Sequence, residues 1–276
     1  MITFRELYRH EANSKSGEES AAFTRTDLLT ILSILGLVVV MLWPTYAANR
    51  SDSQAFQCLN NHRQLCIAWV MYSTDNRDKL PSTRPVTGLM SWAMLTENTN
   101  AESLVVPDGF HWAPDYVKSA SVWKCPADIV PGPNGPRVRS ISFNGPLTGS
   151  RPSVARPSYP IGRYYLDQVQ EMSQLRKPAE VFVTMDEHPD SINDSTFMFD
   201  PGKIPPLYSW RDVPASYHNG AAVYSSADGR AALHLWRDST TMQPVRRQPK
   251  AWGASLVSPN SPDIEWMNNM MPYQEE

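Results

Sequence analysis

Three cysteines in 276 residues are too few for a disulfide scaffold, and Cys58, Cys66 and Cys125 do not have the spacing of a zinc finger. An excess of charge is missing too: a net charge of -3 leaves no footprint for nucleic acid or an anionic membrane surface. No HExxH, GxSxG, P-loop or GxGxxG motif occurs, so neither a nucleophile–base pair nor a phosphate cradle can be argued. No internal repeat is visible. Glycine is scarce beside proline, 13 against 24, which predicts rigid loops and modest regular structure. Long hydrophobic runs are absent, with one exception.

That exception is AAFTRTDLLTILSILGLVVVMLWPTYAANR at 21–50. It carries no charge from Leu28 to Ala48. As a helix, such a stretch would extend about 31 Å, close to the roughly 30 Å of a hydrocarbon core. A cleaved secretory signal fits poorly. The lead Met1–Ala22 sets Arg5, Arg9 and Lys15 against Glu6, Glu11, Glu18 and Glu19 and so has no positive excess. A plain anchor accounts for the length but not for Asp27, an acid at the edge of an apolar helix.

The segment AAFTRTDLL resembles the processing site of type IV prepilins and type II secretion pseudopilins: a small residue, Phe-Thr, two further residues, an acid and a leucine pair. The resemblance implies that a prepilin peptidase cuts after Ala22 and methylates the new amino group of Phe23. It also implies that Asp27, four residues on and on the same helix face, pairs with the Phe amine of another subunit during assembly. Pro44 falls where that family carries a proline and is expected to kink or melt the helix at the membrane exit. Two departures are Ala22, where the family prefers Gly, and Asp27, where it carries Glu.

Beyond Asn49 a helical period continues. Cys58, Leu65, Trp69 and Tyr72 form one stripe, and the pattern stops near Asp75-Asn76 ahead of Pro81. The helix is therefore expected over about 24 to 76, half in lipid and half on a sheet. AEVFVTMDE at 179–187 alternates like a half-buried strand, and 221–238 reads as a hairpin turning at Asp228-Gly229. PGPNGP at 131–136 reads as a loop tip.

Three further segments resemble a pseudopilin-like family: Cys58-Leu-Asn-Asn, Cys125-Pro126, and His218 followed after nine residues by Asp228-Gly229. The last matches the carboxy-terminal signature of prepilin-processing-associated proteins. The expected fold is α+β and pilin-like: a long amino-terminal helix, transmembrane and then amphipathic, packed on an antiparallel sheet with long irregular loops. The expected organisation is a leader over 1–22, a transmembrane helix over 23–48, its amphipathic continuation over 49–80 and an extracytoplasmic domain over 81–276.

MDEHPDSINDS at 185–195 is the densest cluster of polar ligands. Asp186, Glu187, Asp190, Asn193 and Asp194 either cap turns or converge on calcium. His188 and His218 with Asp186 and Asp228 are candidates for a transition-metal site. Among the cysteines, Cys58 and Cys125 are the candidate bridge, because Cys66 lies between apolar residues of a helical pattern; three unpaired buried thiols are the alternative.

The resemblance implies a non-enzymatic subunit of a short filament in a type II secretion or type IV pilus-like system. It would be a single-pass protein of the bacterial inner membrane, with its leader in the cytoplasm. Its partners would be the peptidase and other copies or related pseudopilins. Two alternatives remain open: an anchored module binding glycans or cargo through its Trp residues, and a metal-dependent hydrolase around His188 and His218.

Overall fold

The structure, a computed structural model, describes residues 24–82, 99–105, 112–132, 134–147, 155–158, 163–166, 168–199, 209–247, 256–257 and 260–275. Ala22 and Phe23 lie outside the described residues, as does the side chain of Pro44. The chain divides into two compact units, Met1–Asn49 and Arg50–Glu276.

Helix α1 covers Arg25–Asp75. It opens on a reciprocal cap. The Asp27 amide donates to Thr24 Oγ1 at 3.2 Å, while Asp27 Oδ2 accepts from the Thr24 amide at 2.9 Å and the Thr24 hydroxyl at 2.6 Å. Side chain and backbone at the two ends of the first turn thus satisfy donors that a helix start leaves free. The large apolar side chains between Leu28 and Met41 are exposed. Among the described residues no helix is long and apolar enough to cross a membrane, which corrects the expected transmembrane helix.

In the second unit the strands are β1 (Ile141–Asn144), β2 (Ala155–Ser158), β3 (Arg163–Leu166), β4 (Phe182–Asp186), β5 (Thr196–Phe197), β6 (Ser209–Trp210), β7 (Ala221–Ser226), β8 (Ala231–Leu235), β9 (Leu256–Val257) and β10 (Tyr273–Glu275). Among the described residues the unit also has two short α-helices, α2 (Ala113–Tyr116) before β1 and α3 (Pro262–Asn269) between β9 and β10. The main sheet has the order β5-β1-β4-β7-β8, beside a β10-β3-β2 sheet and a β6-β9 pair.

The main sheet is mixed, which corrects the expected antiparallel one: β5 runs parallel to β1. The reason is positional. The loop after β4 reverses the chain as a hairpin would, but β1 and β7 already occupy both sides of β4. Strand β5 is left the outer side of β1.

Strand β4 is the centre of the unit and is buried along its whole length, so it is not the half-buried strand its alternation predicts. Both of its faces are covered. On one side Val183 joins Leu65, Trp69, Trp112, Trp123 and Phe143; on the other Phe182 and Met185 join Trp210, Trp236, Ile264 and Met267. A register shift between Phe182 and Thr184 is the local device that makes this work. A bulge lets successive residues face one way. Val183 packs in the first core and Thr184 bonds His62 of α1, while Met185 returns to the second core. Asp186 is consequently turned back toward α1.

Burial also answers the Trp alternative. Trp69, Trp112, Trp123, Trp210 and Trp236 are buried and Trp266 is partly buried, so the described Trp residues are core, not an exposed platform.

Helix α3 is tied to the end of β8 through Asp263, which accepts from the Arg237 and Asp238 amides. Beneath it the His234 ring stacks on Trp266 at 3.7 Å and 15°. Burial pushes the His234 imidazole down from 6.5 to about 4, despite nearby Asp263. A histidine held neutral in the fold but protonated when unfolded costs stability as pH falls. Stability from this group is therefore full above about pH 6.5, declines toward pH 4 and is flat below. Urea midpoints across that window should fall for the native chain, and part of the slope should vanish in His234→Phe.

Candidate functional site

Four segments far apart in sequence bring polar side chains to one buried point. Cys58 comes from the stripe of α1 that also buries Leu65 and Trp69. Cys125 follows a 3-10 turn, Ala120–Trp123, capped by the Ser119 side chain and pinned by the buried Trp123. The Cys125 amide donates to Ser140 Oγ at 2.8 Å just before β1. Asp186 closes β4. His218 precedes β7, held by an Asn219-Gly220 turn in which His218 and Ala221 exchange backbone hydrogen bonds of 3.1 Å. Both turn residues have positive φ, 53° and 87°, the type I′ geometry for which Asn-Gly is the preferred pair.

The carboxylate of Asp186 is the hub. Its Oδ1 lies 3.1 Å from His62 Nε2, and its Oδ2 accepts from the Val223 amide at 3.1 Å and from Cys58 Sγ at 3.2 Å. His218 Nε2 stands 3.8 Å from Oδ2 and 3.2 Å from Cys125 Sγ. Behind it, His62 Nδ1 meets Thr184 Oγ1 at 2.7 Å, and that hydroxyl meets Ser225 Oγ at 2.5 Å. Cys58, Cys125, Asp186 and His218 are all buried, and their ligand-type atoms all lie within 4.8 Å of one another.

Burial dominates the proton equilibria. It pushes the Cys58 thiol well up, aided by the neighbouring Cys125 and the Asp186 charge. It also raises Cys125 and lowers His218. Cys66, which hydrogen-bonds the Ser226 carbonyl instead, is pushed up to about 12. All three cysteines are free, so the Cys58–Cys125 bridge is not formed even though the two residues meet. Each sulfur has its own partner, Asp186 for one and His218 for the other.

The five oxygen ligands expected to share calcium are dispersed. Asp186 faces the thiols. Buried Glu187 accepts from the Ser142 and Ser191 hydroxyls, and burial raises its carboxyl well above the usual range. Asp190 accepts from the Arg246 amide at 2.6 Å, and Asp194 caps Thr196 at 2.7 Å. Asn193 is half-buried on the same loop. Asp194 caps a turn, the other role these residue types allow, whereas Asp186, Glu187 and Asp190 accept from partners on other segments.

The transition-metal set also divides. His188 Nε2 is paired with the Gln243 carbonyl, and its Nδ1 accepts from the Asp190 amide. Asp228 sits at the far end of β7 in the expected hairpin turn, where it bonds Ser226 and Arg230; Gly229 there has φ 89°. His218 and Asp228-Gly229 therefore bracket one strand and do not share a site. Only Asp186 and His218 of that set come together.

His62 is the residue that sequence reasoning missed. It stands four residues after Cys58 and three before Leu65, on the same helical stripe, and that position is the signal that could have found it. Comparison with family models, curated proteins and solved structures finds no match to this chain.

Two outcomes are expected. A thiol reagent should label none of the three cysteines in the folded chain and all three in denaturant. His62→Phe leaves a buried carboxylate oxygen without its partner and should lower the unfolding free energy by about 3 kcal/mol in urea titrations.

Proposed function

We propose that the chain is a non-enzymatic, pseudopilin-like assembly subunit. In this reading a prepilin peptidase removes 1–22, and the mature protein acts at the bacterial inner membrane with the unit Arg50–Glu276 outside the cytoplasm. There it joins other copies or related pseudopilins in a short filament of a type II secretion or type IV pilus-like system. The observation that carries the proposal is the convergence of Cys58, Cys125 and His218 on Asp186. Three separate segments, each resembling the same family, meet at one buried point, as expected if the resemblance reflects a shared structural centre and not chance spacing.

Burial of that point supports a structural role over catalysis. Surface depressions of about 400 and 580 Å³ are lined by none of the four residues. Among the described residues His188 and His218 have separate partners, which weighs against the hydrolase reading built on them, and the described Trp residues are core, which weighs against a glycan platform.

Asp27 has two separable duties under this proposal, capping its own helix and offering a charge to a neighbouring amine. Asp27→Asn keeps an oxygen for the Thr24 amide but loses the charge, whereas Asp27→Ala loses both. Both variants should fail to assemble while the protein accumulates normally, and mass spectrometry of the mature chain should begin at methylated Phe23. Normal assembly of Asp27→Asn, or a native chain still beginning at Met1, would refute the reading.

A further inference from the structure

The geometry points to a closed, four-coordinate zinc site at the buried cluster, with Cys58 Sγ, Cys125 Sγ, His218 Nε2 and Asp186 Oδ2 as its ligands. It stands on the unit Arg50–Glu276 and does not depend on the filament reading.

The spacing fits the ion. Zinc bonds of about 2.3 Å to sulfur and about 2.0 Å to nitrogen or oxygen, set tetrahedrally, separate ligand atoms by roughly 3.3–3.8 Å. Cys58 Sγ to Asp186 Oδ2 is 3.2 Å, Cys125 Sγ to His218 Nε2 is 3.2 Å, and His218 Nε2 to Asp186 Oδ2 is 3.8 Å. The widest separation in the set is within 4.8 Å, so the longer edges draw in and the two 3.2 Å edges open by about 0.3 Å to reach tetrahedral spacing.

Donor chemistry selects the ion. Calcium and magnesium take oxygen shells of six or more and are poorly served by two sulfurs and an imidazole. Two thiolates, one imidazole and one carboxylate in tetrahedral array suit zinc. With all four positions filled by protein and every ligand buried, no site remains for water or substrate, so the ion is structural.

An outer shell is already in place. His62 grips the other Asp186 oxygen and is itself oriented by Thr184 and Ser225. The Val223 amide fixes Oδ2, and Ser140 holds the Cys125 backbone. Such partners set ligand orientation and strengthen binding. On metal entry each S–H bond breaks as its S–Zn bond forms, and the two protons leave to solvent. Because the cluster is sealed, loading accompanies folding of the unit.

The test uses the reduced full chain, stripped with a chelator and titrated with cobalt chloride, then zinc chloride. The expected result is one cobalt per chain, with tetrahedral ligand-field bands in the visible and a thiolate-to-cobalt charge-transfer band, both lost on adding zinc. About two protons should be released per ion. Cys125→Ser should weaken the charge-transfer band, and His62→Gln, which meets the ligand set through the outer oxygen of Asp186, should lower affinity about 10- to 100-fold. If Cys125→Ser does not fold, the native chain decides: its urea midpoint should rise with zinc and fall with chelator. A chain isolated two hydrogens lighter with Cys58 bonded to Cys125, or a reduced chain that gives no thiolate band with cobalt, overturns the proposal.

Discussion

One buried carboxylate organises the second unit. Asp186 has no exposure, and its two oxygens are approached by α1 through Cys58 and His62, by β7 through the Val223 amide, and by the loop before β7 through His218. A carboxylate carried into a dry interior is costly unless every lone pair is used. Here the requirement is met only when helix, central strand and the entrance to β7 are all in register. The polar centre thus fixes how the part of α1 after Asn49 lies on the sheet, a task that interchangeable apolar contacts between Leu65, Trp69 and Val183 would specify less sharply.

Legibility in the sequence followed locality. The stripe through Cys58, Leu65 and Trp69, the loop tip at Gly132–Gly135 and the hairpin at Asp228-Gly229 are encoded by neighbours a few residues apart, and the structure contains each of them. The direction of β5 was not legible, because it depends on which sides of β4 are already taken. Nor was the burial of β4 on both faces, since alternation reports one covered face and the second cover comes from α3 and Trp236, far along the chain. The bulge after Phe182 has no sequence marker at all, yet it decides that Asp186 faces the thiols and not the loop acids around it.

The same distinction explains the candidate site. MDEHPDSINDS looks like one cluster because its acids are adjacent in sequence, but a strand end and a turn send them to different partners. Cys58, Cys125 and His218 look unrelated because roughly 60 to 160 residues separate them, and yet they meet. Sequence spacing finds sites built within one element, such as a loop or a helix face; sites built between elements emerge only from topology. Asp27 illustrates a milder case, in which an acid noted for an intermolecular duty also serves the turn it belongs to.

The Asn219-Gly220 turn has a further consequence. It delivers the last contributor to a centre whose first contributor is Cys58, so most of the polypeptide must be made before the centre can close. Until then Cys58 and Cys125 are unshielded sulfurs on a nascent chain, open to mispairing or oxidation. The tight reversal at Asn219-Gly220, which forms quickly from local contacts, shortens that vulnerable interval by presenting the imidazole as soon as its strand emerges.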